Sequence, residues 1–176
     1  LDKEILSATI SGDGKTAVSG DSNGTIVLWD GDTHQPIDRL TVDAPVLALA
    51  IAPTGGLLAA ASADGNVYIW QQLDGTFAPD PIYTGAITAL TLTQIWFNAD
   101  ETAITAVSED GALTTISLAD GNAVNSDPLP LEAGDFARWT TGGMAAIAHA
   151  DGTITRWDGE TATAIAPALV HVAVPT

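Results

Sequence analysis

The chain has 176 residues, no cysteine and a formal net charge of −17, because 22 acidic residues stand against five basic ones. Such a charge repels phosphate backbones and anionic lipid surfaces, so it argues against nucleic-acid binding and favours cationic partners. Without cysteine there is no disulfide framework and no cysteine-based zinc site, and no apolar run approaches the roughly 18 residues of a membrane span, so we expect a soluble protein.

Turn glycines divide the chain into four similar units. Gly24, Gly65, Gly111 and Gly152 each follow Asn or Asp and precede an apolar run, and they are spaced 41, 46 and 41 residues apart. Self-similarity at a period of roughly 40 to 45 residues is typical of repeat architectures. Each unit is therefore expected to form one structural module.

The first unit, residues 1–41, predicts four short antiparallel strands joined by tight turns. Strands are expected at residues 7–10, 15–19 and 25–29, with glycine-containing turns between them. A fourth strand is expected at about 36–40, where the proline suits only a sheet edge.

The later units repeat this order with variations. The second unit spans residues 42–84, and the third, which is longer, spans 85–131, with its first strand beginning at Ile87. The fourth unit is shorter and spans 132–166. Residues 167–176 are expected to open a fifth unit, so we expect the chain to be part of a larger structure. The predicted strands of the second, third and fourth units are 46–51, 57–61, 66–70 and 77–83; 92–97, 103–108 and 112–118; and 136–139, 144–149, 153–157 and 162–165.

Both faces of the third strand are apolar in the first two units. Ile26 and Leu28 alternate with Val27 and Trp29, and residues 67–70 repeat the pattern. A sheet with one solvated face would alternate apolar and polar residues instead. Burial on both faces favours an all-β propeller, in which four-stranded sheets stack radially and each covers the next.

The units resemble the WD40 repeat family, in which a small-residue strand, an Asp-Gly turn and a strand ending in Trp-Asp recur. The Trp-Asp pair stands at residues 29–30 and 157–158. The resemblance implies a β-propeller of four-stranded antiparallel blades, with about four blades here, the first strand of a fifth, and further blades or other subunits to complete it. The resemblance implies a structural role for the following repeat positions: Asn23, Trp29, Asp64, Trp70, Asp110, Asp151 and Trp157.

The units depart from the family pattern where the family has Gly-His before each first strand. Those places read Val42-Asp43, Thr84-Gly85 and Ala133-Gly134. The Trp of the third unit is replaced by Ile116. The hydrogen-bond tetrad implied by the family is therefore incomplete in every unit, and we expect the turn aspartates to cap their own turns.

Neither a metal site nor catalysis is predicted. The acidic turns at 21–24 and 30–32 offer oxygen atoms, but the chain lacks the twelve-residue calcium loop with its distal glutamate. A propeller hydrolase with paired carboxylates is the enzymatic alternative, and nothing in the sequence places two carboxyls at the roughly 5 to 9 Å that it needs. His149 and His171 have no serine or cysteine at nucleophile spacing. No cofactor is predicted either.

The predicted function is a non-catalytic platform for protein association, in a compartment that the sequence leaves open. In the family, the loops entering each first strand share one face with the turns between the second and third strands. A basic domain surface or cationic peptide would be steered to that face. A purely architectural segment of a large assembly is the structural alternative. The residues predicted to form the partner face are Asp21, Asp43, Tyr83, Glu109, Glu132 and Asp135.

Overall fold

A computed structural model describes residues 4–86, 92–109, 112–126, 136–139, 145–149, 151–157 and 162–166. These residues form strands and turns, and none of the described part is a helix of the length and hydropathy that crossing a membrane requires. The chain divides into two compact units, Leu1–Asp127 and Pro128–Thr176.

The first sheet of the larger unit confirms the predicted four-stranded antiparallel module. Its strands are β1 (Ile5–Ile10), β2 (Thr16–Asp21), β3 (Thr25–Asp30) and β4 (Pro36–Thr41), paired in chain order. Pro36 opens the outer strand β4, where the missing N–H costs no bond within the sheet.

The second sheet has an interrupted outer strand. It contains β5 (Val46–Ile51), β6 (Leu57–Ser62) and β7 (Asn66–Leu73), and both β8 (Thr76–Phe77) and β9 (Tyr83–Ala86) pair with β7. The prediction of one outer strand at 77–83 was wrong. The predicted boundary at residue 84 also falls inside β9, so this sheet extends to residue 86.

Turn and proline chemistry explain the interruption. Asp74 and Gly75 have φ values of 52° and 87°, as in the tight turns that fold a strand back on itself, and they connect β7 to β8. Pro79 and Pro81 follow, and neither can donate a hydrogen bond to β7. Pairing resumes when the Ile82 N–H donates to the Ile69 carbonyl at 2.7 Å.

The third sheet and the smaller unit also contain four antiparallel strands each. The third sheet consists of β10 (Leu92–Phe97), β11 (Ala103–Ser108), β12 (Leu113–Ser117) and β13 (Ala123–Ser126). The strands of the smaller unit are β14 (Phe136–Trp139), β15 (Ala145–Ala148), β16 (Ile154–Trp157) and β17 (Ala162–Ala166). The predicted strand start at Ile87 and the opening of a fifth unit at 167–176 lie outside the described residues.

The second sheet is buried on both faces, as predicted from residues 67–70. One face packs on the first sheet and the other on the third. In the first sheet only the face of Ile26 and Leu28 is buried, while Val27 and Trp29 are half-buried. The side chains packed between the first and second sheets include Val18, Ile26, Leu28, Leu40, Leu49, Leu58, Tyr68 and Trp70. Those between the second and third sheets include Ala48, Ala50, Ala59, Ala61, Val67, Ile69, Ile95, Phe97, Ile104 and Ile116.

Candidate interaction surface

Backbone hydrogen bonds bring the entry loops and the turns between second and third strands to one end of the first two sheets, here called the turn end. The Ser22 N–H donates to the Glu4 carbonyl, and the Ala63 N–H donates to the Pro45 carbonyl, both at 2.9 Å. The Val42 N–H donates to the Gly24 carbonyl at 2.9 Å, which joins the first sheet to the loop entering the second. A Cβ at residue 24 would overlap the Val42 carbonyl, so this contact requires glycine.

Asp21 belongs to the interior of its turn. Its side chain is 7% exposed, and its Oδ1 accepts hydrogen bonds from the Asn23 N–H at 2.9 Å and the Thr25 N–H at 2.8 Å. A carboxylate that satisfies two backbone donors fixes the turn in place. Asp21 was predicted on the partner face, and the structure gives it a structural contact instead.

Asp64 caps the equivalent turn of the second sheet, but it lies two residues after Ser62, the residue that corresponds to Asp21. Its carboxylate accepts hydrogen bonds from the Ser62 hydroxyl, from the Asn66 N–H at 3.2 Å and from the Asn66 Nδ2 at 2.7 Å. Partial burial alone would raise the pKa of Asp64, but these hydrogen bonds outweigh it and hold the pKa below its ordinary value. Asp64 is therefore ionised at neutral pH while its side chain remains exposed.

The turn of the smaller unit is capped in the same way. Asp151 Oδ1 accepts from the Thr153 N–H at 2.8 Å and from the Thr153 hydroxyl at 2.7 Å. The expectation that turn aspartates cap their own turns is confirmed at Asp64 and Asp151, and Asp110 lies outside the described residues. His149 precedes this turn and has its Nε2 2.8 Å from the Thr155 hydroxyl, within the same sheet.

Asp43 lies in the loop that enters the second sheet, and Asp64 lies in the turn that the hydrogen bond from Ala63 to Pro45 joins to that loop. Burial raises the pKa of Tyr68, and the negative charges of Asp64 and then Asp43 raise it further. The Tyr68 ring stacks on Trp70, with ring centroids 5.9 Å apart and planes inclined by 16°. We call Asp43, Asp64 and Tyr68 the acidic corner. It lies at the turn end of the second sheet, and Asp43 is exposed there.

The remaining residues of the predicted partner face are dispersed. Glu109 is exposed directly after β11. Tyr83 lies within β9, opposite Ile69, and its half-buried ring packs against the core between the second and third sheets. The structure therefore does not bring Tyr83 to the acidic corner. Glu132 and Asp135 lie outside the described residues.

Tyr68 was missed by the sequence reasoning, which treated it as one more apolar strand residue. The available signal was its hydroxyl, since a tyrosine buried at the start of a strand usually keeps that group near polar partners. Asp43 was found because it stands where the family has histidine. The proximity of Asp43 to Asp64 depends on how an entry loop lies against a turn, and no spacing rule in the sequence provides that.

The tryptophans share one register position with different surroundings. Trp29, Trp70 and Trp157 lie opposite Ala17, Leu58 and Ala145 in their sheets. The Trp29 Nε1 donates to the Ser19 hydroxyl at 2.9 Å. Trp70 is fully buried, and its Nε1 has no hydrogen-bond partner among the described residues. Register places Ala60 where the first sheet has Ser19.

No three acidic or histidine side chains in the described part of the chain lie close enough together to hold a metal ion. The acidic corner therefore offers two carboxylates and a neutral phenol rather than a closed ligand set. Such a group suits a lysine or arginine side chain, which needs opposite charge and hydrogen-bond acceptors without fixed coordination geometry.

The model of the WD domain, G-beta repeat family matches residues 2–30 and 35–71. These two segments resemble WD40 repeats. The second match runs from just before β4 through most of β7, so one WD40 sequence repeat comprises the outer strand of the first sheet and three strands of the second. The sequence repeat is thus offset by one strand from the structural blade, which ties consecutive blades together.

Two curated relatives match parts of the chain. The protein LST8 homolog of Drosophila melanogaster is 45% identical over 54 residues, which is 30% of this chain and 17% of that protein. The periodic tryptophan protein 2 homolog of Neurospora crassa is 33% identical over 96 residues, which is 54% of this chain and 10% of that protein. The chain thus spans less than a fifth of the length of either relative.

Solved structures show the β-propeller fold. The Cps50 (Swd1) β-propeller domain of Myceliophteria thermophila has a TM-score of 0.69 at 15% identity and aligns with 90% of this chain and 53% of that chain. The RRP9 WD40 repeats have a TM-score of 0.71 at 16% identity and align with 93% of this chain and 51% of that chain. The chain therefore spans about half the length of these propeller domains.

Proposed function

We propose that this chain is a non-catalytic scaffold for protein association, and that its acidic corner binds a cationic segment of a partner. The observation that carries the proposal is the hydrogen bond from the Ala63 N–H to the Pro45 carbonyl, which holds the loop of Asp43 against the turn of Asp64, where both charges act on the Tyr68 phenol. The WD40 repeats and the propeller fold of its structural neighbours support the scaffold role.

The chemistry of the corner suits a basic side chain. The hydrogen bonds that lower the pKa of Asp64 keep it charged, and the raised pKa of Tyr68 keeps the phenol protonated, so the corner presents two anions and a neutral hydroxyl. Glu109, at the corresponding end of the third sheet, adds a further exposed carboxylate. The net charge of −17 would steer a cationic segment towards the protein before contact.

The binding test uses fluorescence anisotropy with a labelled octapeptide of alternating arginine and glycine. We expect Asp43→Asn combined with Asp64→Asn to weaken binding at least fivefold, because both anions are removed while the amide at 64 keeps an acceptor for the turn. The matched control combines Asp74→Asn with Asp120→Asn, which removes two carboxylates from turns of other strand pairs. Equal affinity of the two double variants would contradict the proposal.

Salt dependence separates the scaffold from its architectural alternative. Binding through exposed charges weakens as added salt shortens the screening length, which is roughly 8 Å at physiological ionic strength. A purely architectural segment would retain its assembly partners regardless of the charges at 43 and 64. Retention of every partner by the Asp43, Asp64 double variant at both low and high salt would favour that alternative.

We also infer that further blades adjoin this chain, because it spans 53% and 51% of the two propeller domains that it resembles. A propeller blade covers the exposed face of its neighbour, and each blade needs such cover on both faces. The partner of this chain is thus expected to include other blades as well as a cationic segment.

A further inference from the structure

The turn between β2 and β3 contains an asparagine that is followed directly by glycine. The pair is Asn23 and Gly24, and the sequence has no second Asn-Gly pair, because each of the other four asparagines precedes a residue with a side chain. A side chain on the next residue hinders approach to the backbone nitrogen of that residue, and glycine lacks this hindrance. The Gly24 nitrogen is therefore open to the side chain that precedes it.

The Asn23 side chain is exposed, and its amide makes no hydrogen bond with the residues that the structure describes. Asn23 is held through its backbone instead, since its N–H donates to Asp21 Oδ1 at 2.9 Å. The Gly24 N–H donates to the Asp21 carbonyl at 3.2 Å, which is at the long end of the normal range. Opening of this one bond is enough to let the Asn23 Cγ approach the Gly24 nitrogen.

Three other asparagines have side-chain amides that are held within their own turns. In each, Nδ2 donates to an oxygen of a neighbouring side chain. These bonds must break before the asparagine side chain can turn towards the next backbone nitrogen. The combination of a free amide and a following glycine therefore distinguishes Asn23 from all three. The three pairs are Asn66 with Asp64 at 2.7 Å, Asn98 with Thr102 at 3.0 Å and Asn122 with Asp120 at 2.6 Å.

The corresponding turn of the second sheet is protected by charge. Asp64 precedes Gly65 there, and although burial alone would raise its pKa, the hydrogen bonds from Ser62 and Asn66 hold the pKa below its ordinary value. The carboxylate is therefore ionised at neutral pH. An ionised carboxylate resists attack by a nitrogen because its carbon carries no neutral leaving group, whereas a carboxamide can release ammonia.

We propose that Asn23 is a site of spontaneous deamidation, at which the Gly24 backbone nitrogen attacks the side-chain Cγ of Asn23. A bond forms between that nitrogen and Cγ, the Cγ–Nδ2 bond breaks, and the proton of the Gly24 N–H leaves with the amide nitrogen as ammonia. Water then opens the five-membered succinimide ring. Opening at Cγ gives aspartate, and opening at the backbone carbonyl gives isoaspartate, in which the main chain runs through Cβ and Cγ.

Both products weaken the connection between the first sheet and the loop entering the second. The Gly24 carbonyl accepts from the Val42 N–H at 2.9 Å, and the two backbones approach so closely there that a Cβ at residue 24 would overlap the Val42 carbonyl. Aspartate at residue 23 places a second negative charge beside the buried Asp21. Isoaspartate lengthens the main chain immediately before the contact with Val42. The Val42 amide is therefore expected to lose its acceptor as the chain ages.

Peptide mapping tests the reaction, because trypsin separates Asn23 from every other asparagine. Cleavage after Lys15 and Arg39 releases residues 16–39, which contain Asn23 alone, and cleavage after Arg138 releases residues 40–138, which contain the other four. The folded chain is incubated at pH 9, since the attacking nitrogen must lose its proton, and is then digested beside a fresh sample. Mass spectrometry is expected to show deamidation at residue 23 at least tenfold faster than at any asparagine in 40–138.

Two controls make the result decisive. Asn23→Gln keeps an amide but would have to close a six-membered ring, which forms much more slowly, so its residues 16–39 are expected to stay unchanged. The wild-type peptide 16–39, released before incubation, reports the reaction without the fold. An intact chain that stays unmodified while this peptide reacts would overturn the proposal, because the turn would then protect Asn23. Equal deamidation of the two fragments would also overturn it.

Hydrogen exchange tests the structural consequence in the same aged sample. We expect the Val42 amide to exchange at least tenfold faster in the deamidated chain than in the fresh chain, while the Ala63 amide, which donates to the Pro45 carbonyl, is unchanged. Unchanged exchange at Val42 would contradict the weakened connection. Neither measurement involves a cationic partner, so the inference is independent of the acidic corner.

Discussion

At the scale of single residues, two tryptophans in the same position have different polar environments. Trp29 donates to Ser19 at 2.9 Å, while the fully buried Trp70 has alanine at the corresponding place. A buried donor without a partner costs roughly 1 to 3 kcal/mol relative to one that is paired. The second sheet keeps Trp70 because its ring fills the space against the first sheet and stacks on Tyr68.

Ala60→Ser is expected to raise the free energy of unfolding by about 1 kcal/mol, because the new hydroxyl accepts from the Trp70 Nε1. Ala59→Ser is the matched control. Ala59 is fully buried on the other face of the same strand, directly opposite Ile69, which has no polar side-chain atom. This control is expected to lose stability by roughly 1 kcal/mol, since it buries an unpaired hydroxyl. Urea denaturation measures both, and a loss at both sites would refute the pairing.

The turn carboxylate is supplied from one of two positions. The first sheet has Asp21 with Asn23, whereas the second has Ser62 with Asp64 and the smaller unit has His149 with Asp151. Each arrangement satisfies backbone donors of the same turn. Two carboxylates in one turn would compete for the same donors and repel each other at short range.

Asn23→Asp is therefore expected to lower the free energy of unfolding by about 1 kcal/mol, through like-charge repulsion with the buried Asp21. Asp21→Ser is expected to cost more, because two backbone N–H groups, of which that of Thr25 is buried, lose their acceptor. The double variant reproduces the arrangement of the second sheet and is expected to recover part of that loss. A double-mutant cycle from denaturation curves gives the coupling, and strict additivity would show that the positions do not substitute for each other.

At the scale of elements, contacts between turns join neighbouring sheets. The Thr54 N–H donates to the Glu101 Oε1 at 2.6 Å, and the Thr54 hydroxyl donates to the Oε2 at 2.8 Å. Thr54 lies in the turn between β5 and β6, and Glu101 lies in the corresponding turn of the third sheet. Glu101 has a φ of 57°, a left-handed conformation that is unfavourable for a residue with a side chain.

Glu101→Ala is expected to destabilise the chain by about 1 kcal/mol, because both hydrogen bonds are lost at an exposed site. Glu101→Gly loses the same bonds but adopts the positive φ without strain, so it is expected to be more stable than the alanine variant by up to about 1 kcal/mol. Thermal unfolding compares the two. A glycine variant less stable than the alanine variant would contradict the conformational argument.

The sequence predicted the inner elements better than the outer ones. Strands such as β2, β3, β6 and β7 were found because apolar runs end at Asp-Gly or Asn-Gly turns, which are local signals. The outer strand of the second sheet was misplaced, because Pro79 and Pro81 disrupt pairing and the chain then resumes at β9 through tertiary contact with β7. Of the predicted partner face, Asp43 and Glu109 are exposed, whereas Asp21 is buried by hydrogen bonds within its own turn and Tyr83 packs against the core. The placement of Tyr83 depends on contacts between residues that are distant in the sequence.

At the scale of the whole molecule, many carboxylates hold turns, so stability depends on acidity. Hydrogen bonds from Thr33 lower the pKa of Asp30, a hydrogen bond from Ser11 lowers that of Asp13, and a hydrogen bond from the Asn122 backbone lowers that of Asp120. A carboxyl whose pKa is lower in the folded state stabilises that state at pH values above its unfolded-state pKa of about 4. This contribution disappears as the pH falls through the folded-state pKa.

We expect the urea midpoint to fall steeply below about pH 4, in 0.15 M salt so that long-range repulsion among the acidic residues is screened. A variant combining Asp13→Asn, Asp30→Asn and Asp120→Asn is expected to show a shallower fall, because three of the titrating caps are absent. The midpoint is followed by circular dichroism between pH 7 and pH 2. A midpoint that rises on acidification through this window would contradict the sign of the pKa shifts.

The two buried faces of the second sheet differ in side-chain volume. Alanines dominate the side towards the third sheet, and leucines with the two stacked aromatics dominate the side towards the first. Because protein interiors tolerate neither voids nor excess volume, each neighbour must be shaped for the side that it meets. Although the repeats look alike in outline, they are not interchangeable, and recombination that duplicated, deleted or reordered a blade at this point would create misfitting surfaces. The sizes of the packed side chains therefore restrict which blade can lie next to which, in addition to the order that the covalent chain imposes.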